Sequence, residues 1–221
     1  MTSTPDAGEV PTHRRRIELD AYDRGEDLLV VARLRDDRPW AAGTDQPEHV
    51  HDMTLEVTVH RPELVVTAVQ AEMRHFPHAE CRQIEGAFQG LVGLQVGRGY
   101  TRAVQERFGR ALGCTHLELL ARLLGPVVVQ SIPSSALRAH PEDGGRAALA
   151  ETGSSWFADS CHVWASEGPG PGMQKLALGW RPGTTAYPAP PVAELHRAAG
   201  GAADGAAGGA AGGAAGRAGE G

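Results

Sequence analysis

The sequence predicts an α+β fold, in which an antiparallel sheet of about four strands is covered on one face by helices, with a C-terminal hairpin. Two observations lead to this prediction. Apolar and polar residues alternate with a period of two in the first third of the chain, and the period becomes helical after Pro77. In addition, 41% of the 221 residues are hydrophobic and 22% are charged, which is the usual composition of a chain with a packed core.

Four segments show the alternation that is typical of half-buried strands. In the clearest of them, Met53, Leu55, Val57 and Val59 alternate with polar residues. The short turn at 61–63 predicts that the next strand returns antiparallel. Because about one residue in two is apolar, we expect the sheet to bury one face. The predicted strands lie at 17–21, 28–34, 53–59 and 64–69.

Three helices and a hairpin are expected after the strands. Apolar residues recur on one helical face over 81–91, and a short helix is predicted over 100–108. The run 115–118 has the Thr-x-x-Glu form of a capping box, which marks the start of a third helix. A late hairpin is predicted to join residues 156–164 to residues 174–180.

Composition divides the chain into three parts. Residues 1–12 are polar and are predicted to be disordered. Residues 13–182 are predicted to form a single α+β domain. Residues 183–221 begin with a Pro-rich linker and are almost only alanine and glycine from residue 198 onward. Such a tail has no large side chains with which to bury surface, so it is predicted to be disordered.

Charge and hydropathy argue against two classes of partner. The net charge is -6 and the pI is near 5.9, so the chain lacks the broad basic field that nucleic-acid binding requires. No run of about 20 apolar residues predicts a membrane span, and the N-terminus has no apolar core for secretion. We therefore expect a cytoplasmic protein that binds neither nucleic acid nor membrane. The three cysteines would then stay reduced, and their odd number also disfavours a full disulfide set.

The cysteines and several histidines predict a metal site for zinc or iron. Thiolate sulfur and imidazole nitrogen are preferred ligands of both metals. Cys81, Cys114, His116 and His51 are the predicted ligands. Cys114 lies just before a predicted helix, where the positive end of the helix dipole favours the thiolate. His51 shares the strand phase of Met53, so it is expected to point to the covered face of the sheet.

Three further residues are assigned supporting or alternative roles at this site. Asp52 is expected to hold a ligand histidine in orientation, as second carboxylates do in metal sites, provided that a bulge turns it toward the covered face. The adjacent Cys161 and His162 are alternative ligands. Three protein ligands would leave a position open for catalysis, whereas four would indicate structure or metal transfer.

Two other functions remain open at this point. In a metal-free enzyme of acyl-transfer or thioester type, Cys114 would be the nucleophile and His116 or His51 the base, oriented by Asp52. In a non-catalytic partner protein, the cysteines would only fill the core, since free cysteine is often buried. The substrate, the partner and the oligomeric state do not follow from the sequence.

Three motifs resemble an uncharacterised bacterial family, a domain of unknown function. They are HDMTLEVTV, LVGLQVGRGYTRAVQERFG and GCTHLELL. The resemblance covers about residues 14–180, and Tyr100 stands where members of the family usually have phenylalanine. The family carries no known activity, so the resemblance implies no function.

A second resemblance, in the order of elements, is to the U-type iron–sulfur cluster assembly scaffolds. His51-Asp52, Cys81, and Cys114 with His116 occupy places similar to the ligand positions of those scaffolds. Two departures are visible, because His51 replaces a cysteine and the late pair is Cys-x-His instead of adjacent His-Cys. The resemblance implies a metal pocket between the mouth of a strand and the starts of two helices.

Overall fold

The centre of the protein is a four-stranded antiparallel sheet with the order β1-β2-β3-β4, as the alternation predicted. The strands are β1 (Arg14–Arg24), β2 (Asp27–Arg38), β3 (Glu48–His60) and β4 (Val65–His75). This computed structural model describes residues 6–41, 48–61, 63–139, 158–181 and 188–207. The first turn is made by Gly25, whose φ of 76° lies in the left-handed region that glycine adopts without strain.

The alternation of β3 decides which face of the sheet is covered. Met53, Leu55, Val57 and Val59 are fully or almost fully buried, and the residues between them are more accessible on average. Met53 pairs with Leu34 of β2, so the two strands present their apolar side chains to the same side. The face that carries these residues is called the covered face below, and the other is called the open face.

Helical segments follow the sheet and complete the core. They are a long 3-10 helix (Ala79–Leu91), α1 (Tyr100–Phe108) and α2 (Thr115–Ala139). A short 3-10 turn at Arg110–Leu112 lies between α1 and α2, and another at Pro39–Ala41 lies between β2 and β3. Phe88 and Phe108 stack with their ring centroids 4.6 Å apart, which joins the 3-10 helix to α1. The predicted α+β class is therefore confirmed.

Side chains attach the 3-10 helix that follows β4 to the strand. The Gln89 side chain donates a hydrogen bond to the Val69 carbonyl at 2.6 Å, and the Glu85 carboxylate accepts one from the Met73 amide at 2.7 Å. These bonds satisfy backbone groups of an edge strand that would otherwise lack partners.

Helix α2 is long and apolar enough to cross a membrane by length and composition alone. The core helix of a soluble protein passes the same test. In this chain the first half of α2 buries Leu117, Leu120, Ala121, Leu124 and Val128. The expectation that no segment has the length and hydropathy of a span is thus not met by α2, and 22% of its apolar 18-residue window is buried.

The chain divides into two units, Met1–Ile132 and Pro133–Gly221, and the predicted single domain over 13–182 extends across the boundary between them. The second unit contains a 3-10 turn (His162–Trp164), α3 (Pro171–Ala177) and α4 (Val192–Ala207).

A helix takes the place of the predicted C-terminal hairpin. Within the described range 158–181, residues 162–164 form a 3-10 turn and 171–177 form α3 in place of two strands. Pro171 pre-sets the first helical turn, and the residues from Met173 to Ala177 are good helix formers. Gly172 lies so close to the Trp164 ring that an added Cβ would be 2.7 Å from it, so only glycine permits this packing.

The terminal predictions fall largely outside the described residues. Residues 1–5, 182–187 and 208–221 are not described, and residues 6–12 form no helix or strand. Helix α4 extends to Ala207, well into the segment predicted to be a tail. Its alanines favour helix strongly enough to outweigh the intervening glycines.

Candidate metal centre

Two adjacent carboxylates, Asp36 and Asp37, lie near the end of β2, and both are 0% exposed. Consecutive strand residues point to opposite faces, so Asp36 continues the covered face after Leu34 and Asp37 lies on the open face. A bulge in β3 matches this arrangement, because Asp36 pairs with His51 and Asp37 with His49. The extra residue between the two histidines sends their side chains to opposite faces as well.

The Asp36 carboxylate is surrounded by one arginine and three histidines, which together form the Asp36 cluster. Arg15 of β1 donates two hydrogen bonds to it, from Nε to Oδ1 and from Nη2 to Oδ2, both at 2.7 Å. His51 Nδ1 lies 2.9 Å from Oδ2, and His116 Nε2 lies 3.4 Å from the same oxygen. His13 Nε2 lies 3.2 Å from Oδ1.

Helix α2 brings His116 into this cluster. The Cys114 carbonyl accepts the first helical bond from the Glu118 amide at 2.8 Å, which places Cys114 at the N-cap and His116 in the first turn. Leu117 and Leu120 are fully buried and fix the rotation of the helix. The His116 ring then lies on the His51 ring, with centroids 3.9 Å apart and planes tilted by 37°.

The environment sets the charges of two members of the cluster. Burial by itself would raise the pKa of Asp36, but hydrogen bonds from Arg15 and His51 outweigh burial and lower this pKa to about 2. Burial and the neighbouring His51 and Arg15 lower the pKa of His116 to about 4. At neutral pH, Asp36 is therefore a carboxylate and His116 a neutral imidazole, which are the forms that bind metal ions.

The geometry of three of these residues fits a metal ion. One ligand atom each from Asp36, His51 and His116 lies within 4.8 Å of the other two. Zinc binds imidazole nitrogen and carboxylate oxygen at about 2.0 to 2.2 Å, so its ligand atoms are separated by about 3 to 4 Å. A small adjustment of the two rings would bring the three atoms to that spacing.

The structure brings together only part of the predicted ligand set. His51 and His116 meet on the covered face, and Cys114 Sγ lies 3.7 Å from His116 Nδ1. Among the described residues, neither Cys114 nor Cys81 belongs to the group of converging ligand atoms. Cys81 is half-buried in the 3-10 helix that follows β4.

The other predicted residues lie elsewhere. Asp52 pairs with Arg35 and His75 in the sheet, and its carboxylate lies 3.7 Å from Arg74 Nε. These pairings place Asp52 on the open face, so Asp36 is the carboxylate that contacts His51. Cys161 is exposed, and both Cys161 and His162 belong to the second unit, where no metal-ligand group occurs among the described residues.

Sequence reasoning missed Asp36, Arg15 and His13. A signal for Asp36 was present, because the apolar alternation of Leu28, Val30, Ala32 and Leu34 continues to residue 36 on the same face. A carboxylate at a buried strand position requires partners, and that requirement indicates a polar cluster.

The Asp37 carboxylate has its own partners on the open face, which together form the Asp37 cluster. Arg16 Nη1 lies 2.6 Å from Oδ2, while Arg35 Nε at 3.2 Å and His49 Nδ1 at 2.6 Å approach Oδ1. Burial alone would raise the pKa of Asp37, but hydrogen bonds from His49 and Arg35 lower it. The His75 ring meets the His49 ring edge-on at 6.3 Å.

A family model described as a protein of unknown function, DUF2889, matches residues 13–130. This range begins at the first residue of the Asp36 cluster, contains all the others and ends inside α2. No curated protein and no solved structure shows significant similarity to the chain.

Proposed function

The chain belongs to the DUF2889 family of proteins of unknown function, and we propose that it binds a metal ion through Asp36, His51 and His116. The observation that carries this proposal is the convergence of two imidazole nitrogens and one buried carboxylate oxygen on a single point. The ionised Asp36 carboxylate and the neutral His116 imidazole are both suitable ligands for a divalent cation.

Zinc and ferrous iron are the metals that suit this donor set best. Two histidines and one carboxylate hold zinc in several hydrolytic enzymes and hold iron(II) in many oxygenases. Three protein ligands leave at least one coordination position open. Such a centre can polarise a bound carbonyl or phosphoryl oxygen, or lower the pKa of a bound water.

Arg15 is compatible with a metal at Asp36. A carboxylate has about four lone-pair sites, and the two-pronged contact with Arg15 uses two of them. His51 and His116 both approach Oδ2 from other directions. A metal between the two rings can bind the remaining lone pair of that oxygen while Arg15 holds the carboxylate in place.

Cys114 has a different role in this proposal from the one the sequence suggested. Its sulfur faces Nδ1 of His116, the nitrogen that does not face Asp36. Ligand histidines in metal sites are usually oriented by a hydrogen bond to their other nitrogen. Cys114 is therefore a positioning residue that orients His116, and Cys81 is not needed as a ligand.

The proposal can be tested by zinc titration with isothermal calorimetry, using two histidines of one strand. His51→Ala is expected to weaken zinc binding at least about 100-fold, because it removes a direct ligand. His49→Ala is the matched control, since His49 also contacts a buried carboxylate of β2 but on the open face. It should change zinc affinity less than about twofold. Wild-type protein that binds no zinc or iron, or equal losses in both variants, would refute the proposal.

One observation favours a second candidate function, a metal-free cysteine enzyme of acyl-transfer or thioester type. Cys114 Sγ, the His116 ring and the Asp36 carboxylate form a continuous chain, with steps of 3.7 and 3.4 Å. A nucleophile, a base and an orienting carboxylate are connected in this order in cysteine hydrolases. Cys114 also lies at the N-cap of a 25-residue helix.

The two functions differ in the reactivity of Cys114 in metal-free protein. If the protein is a cysteine enzyme, iodoacetamide should alkylate Cys114 much faster than the exposed Cys161. His116→Gln should then lower the alkylation rate of Cys114 to that of Cys161. Under the metal reading, Cys114 reacts no faster than Cys161, and added zinc slows its alkylation. Mass spectrometry of the alkylated peptides measures both rates in one sample.

We also propose a cytoplasmic location, because a reduced thiol beside a ligand histidine is maintained there. Neither candidate function requires nucleic acid or a membrane as a partner.

A further inference from the structure

We propose that the metal centre takes a small oxyanion, a carboxylate or phosphate group, bound between the metal ion and Arg15. This inference rests on the proposed function and adds the chemical class of the ligand. It follows from three properties of the Asp36 cluster: its charge, the donors of Arg15, and the side on which the cluster is open to solvent.

The first property is the charge after metal binding. Asp36 and Arg15 form an ion pair whose opposite charges cancel. A divalent cation adds two positive charges next to a carboxylate that is 0% exposed. Uncompensated charge at such a position is costly, so an anion in the open coordination position stabilises the loaded centre.

The second property is the set of donors on Arg15. A guanidinium has five N–H donors in one plane, and Asp36 takes hydrogen bonds from only Nε and Nη2. The other edge of the guanidinium can bind a second oxyanion in the same two-pronged way. Arginine is the usual protein partner of carboxylate and phosphate groups for this reason.

The third property is the accessibility of the cluster. The ligand histidines His51 and His116 are 15% and 19% exposed, whereas Arg15 is 36% exposed and His13 is 50% exposed. The cluster is therefore accessible on the side of β1. A ligand that enters from this side meets Arg15 and His13 before it reaches the metal position.

The Asp37 cluster provides a matched control. Arg16 adjoins Arg15 in β1 and contacts Asp37, which is equally buried. Arg16 lies on the open face, away from His51 and His116. A substitution of Arg16 therefore removes an arginine–aspartate pair of the same type and leaves the metal site unchanged.

The experiment uses the full-length protein loaded with cobalt(II), whose visible absorption reports on its ligands. Sodium acetate, inorganic phosphate and the uncharged analogue acetamide are titrated separately. We expect acetate, phosphate or both to change the spectrum with saturation, and acetamide to have no effect. Acetate alone would identify a carboxylate ligand, and phosphate alone a phosphate ligand. Arg15→Gln should weaken the anion at least about tenfold, and Arg16→Gln should not change its affinity.

The other possible outcomes of this experiment contradict different parts of the inference. Cobalt that binds but does not respond to either anion, or that responds equally to acetamide, contradicts the inference and leaves the metal site intact. Equal anion affinity in wild type and Arg15→Gln contradicts the role of Arg15. A wild-type protein that takes up no cobalt refutes the proposed function and this inference with it.

Discussion

The Asp36 and Asp37 clusters are built from the same parts on opposite faces of one sheet. Each has a fully buried carboxylate from β2, an arginine from β1 and a histidine from β3. They differ in what covers them. The covered face receives the first turn of α2 and thereby gains His116 and Cys114. The open face receives a second arginine, Arg35.

In the proposed function, this difference separates the metal site from a structural ion cluster. At Asp37, two guanidinium groups contact the carboxylate, so a metal ion would meet repulsion from two positive charges. At Asp36, one guanidinium balances the charge, and the His51 and His116 rings, whose centroids lie 3.9 Å apart, supply the nitrogen donors. A buried acid and a nearby histidine are therefore not sufficient for metal binding. The second, neutral histidine from a helix is the decisive part.

The largest expected effect is the loss of zinc-dependent stabilisation in one carboxylate variant and not in the other. A ligand that binds only the folded state stabilises it by about 2.7 kcal/mol when its concentration is 100 times Kd. Asp36→Asn should lose this increment, whereas Asp37→Asn should keep it. Urea denaturation with and without zinc measures the increment within each variant, so any effect of the substitution itself cancels. A full increment in Asp36→Asn would contradict the distinction between the clusters.

The next largest effect concerns acid stability of the chelator-treated protein. The pKa of Asp36 is lowered to about 2, so Asp36 contributes stability above about pH 4 that is lost as the pH falls toward 2. A pKa shift of this size corresponds to about 2 kcal/mol in the free energy of unfolding. The lowered pKa of Asp37 acts in the same direction. Asp36→Asn should make the free energy of unfolding less dependent on pH in this range. An unchanged slope would show that Asp36 is not the source of the acid-dependent stability.

A smaller effect is expected from Cys114→Ser, which tests whether the cysteine orients or binds. Because a C–O bond is shorter than a C–S bond, the serine oxygen would lie farther from His116 Nδ1 than the 3.7 Å of the Cys114 sulfur and would orient the ring less well. Zinc affinity should therefore fall about tenfold, or about 1.4 kcal/mol. Cys81→Ser is the control and should leave the affinity unchanged. Competition with a chromophoric chelator measures both constants. Complete loss of zinc in Cys114→Ser would show that sulfur is a ligand, as the sequence first suggested.

The smallest effect involves a buried polar group that, unlike Asp36 and Asp37, has no partner. Tyr100 is 2% exposed, and its hydroxyl has no hydrogen-bond partner among the described residues. Burial correspondingly raises the pKa of Tyr100. Tyr100→Phe should increase the free energy of unfolding by about 1 kcal/mol, because an unsatisfied buried hydroxyl is destabilising. Thermal or urea denaturation measures the change. If Tyr100→Phe instead lowers the free energy of unfolding by a similar amount, the hydroxyl has a hydrogen-bond partner.

The sheet and the helix starts could be predicted from the sequence because they follow from local patterns. The alternation of Met53 to Val59 determines a strand and its buried face, and it also indicates that His51 points to the covered face. Helix α1 has the predicted bounds, and α2 begins within one residue of its sequence signal, with Cys114 in place of Thr115 at the N-cap. These features depend on neighbouring residues and not on distant ones.

The composition of the site could not be predicted to the same extent. Cysteines were favoured because thiolates are strong ligands, but which side chains converge depends on register and on the bulge between His49 and His51. That bulge is not encoded by periodicity, and it decides which histidine contacts which aspartate. The helical α3 was missed for a related reason, because its few apolar residues fit a strand as well as a short helix.

X-ray absorption spectroscopy of the zinc-loaded protein tests the central claim most directly. Zinc bound by Asp36, His51 and His116 has a first shell of nitrogen and oxygen only, at about 2.0 to 2.2 Å, with the outer-shell scattering of two imidazole rings. A first-shell sulfur at about 2.3 Å would place Cys114 or Cys81 on the metal and contradict the assigned ligand set.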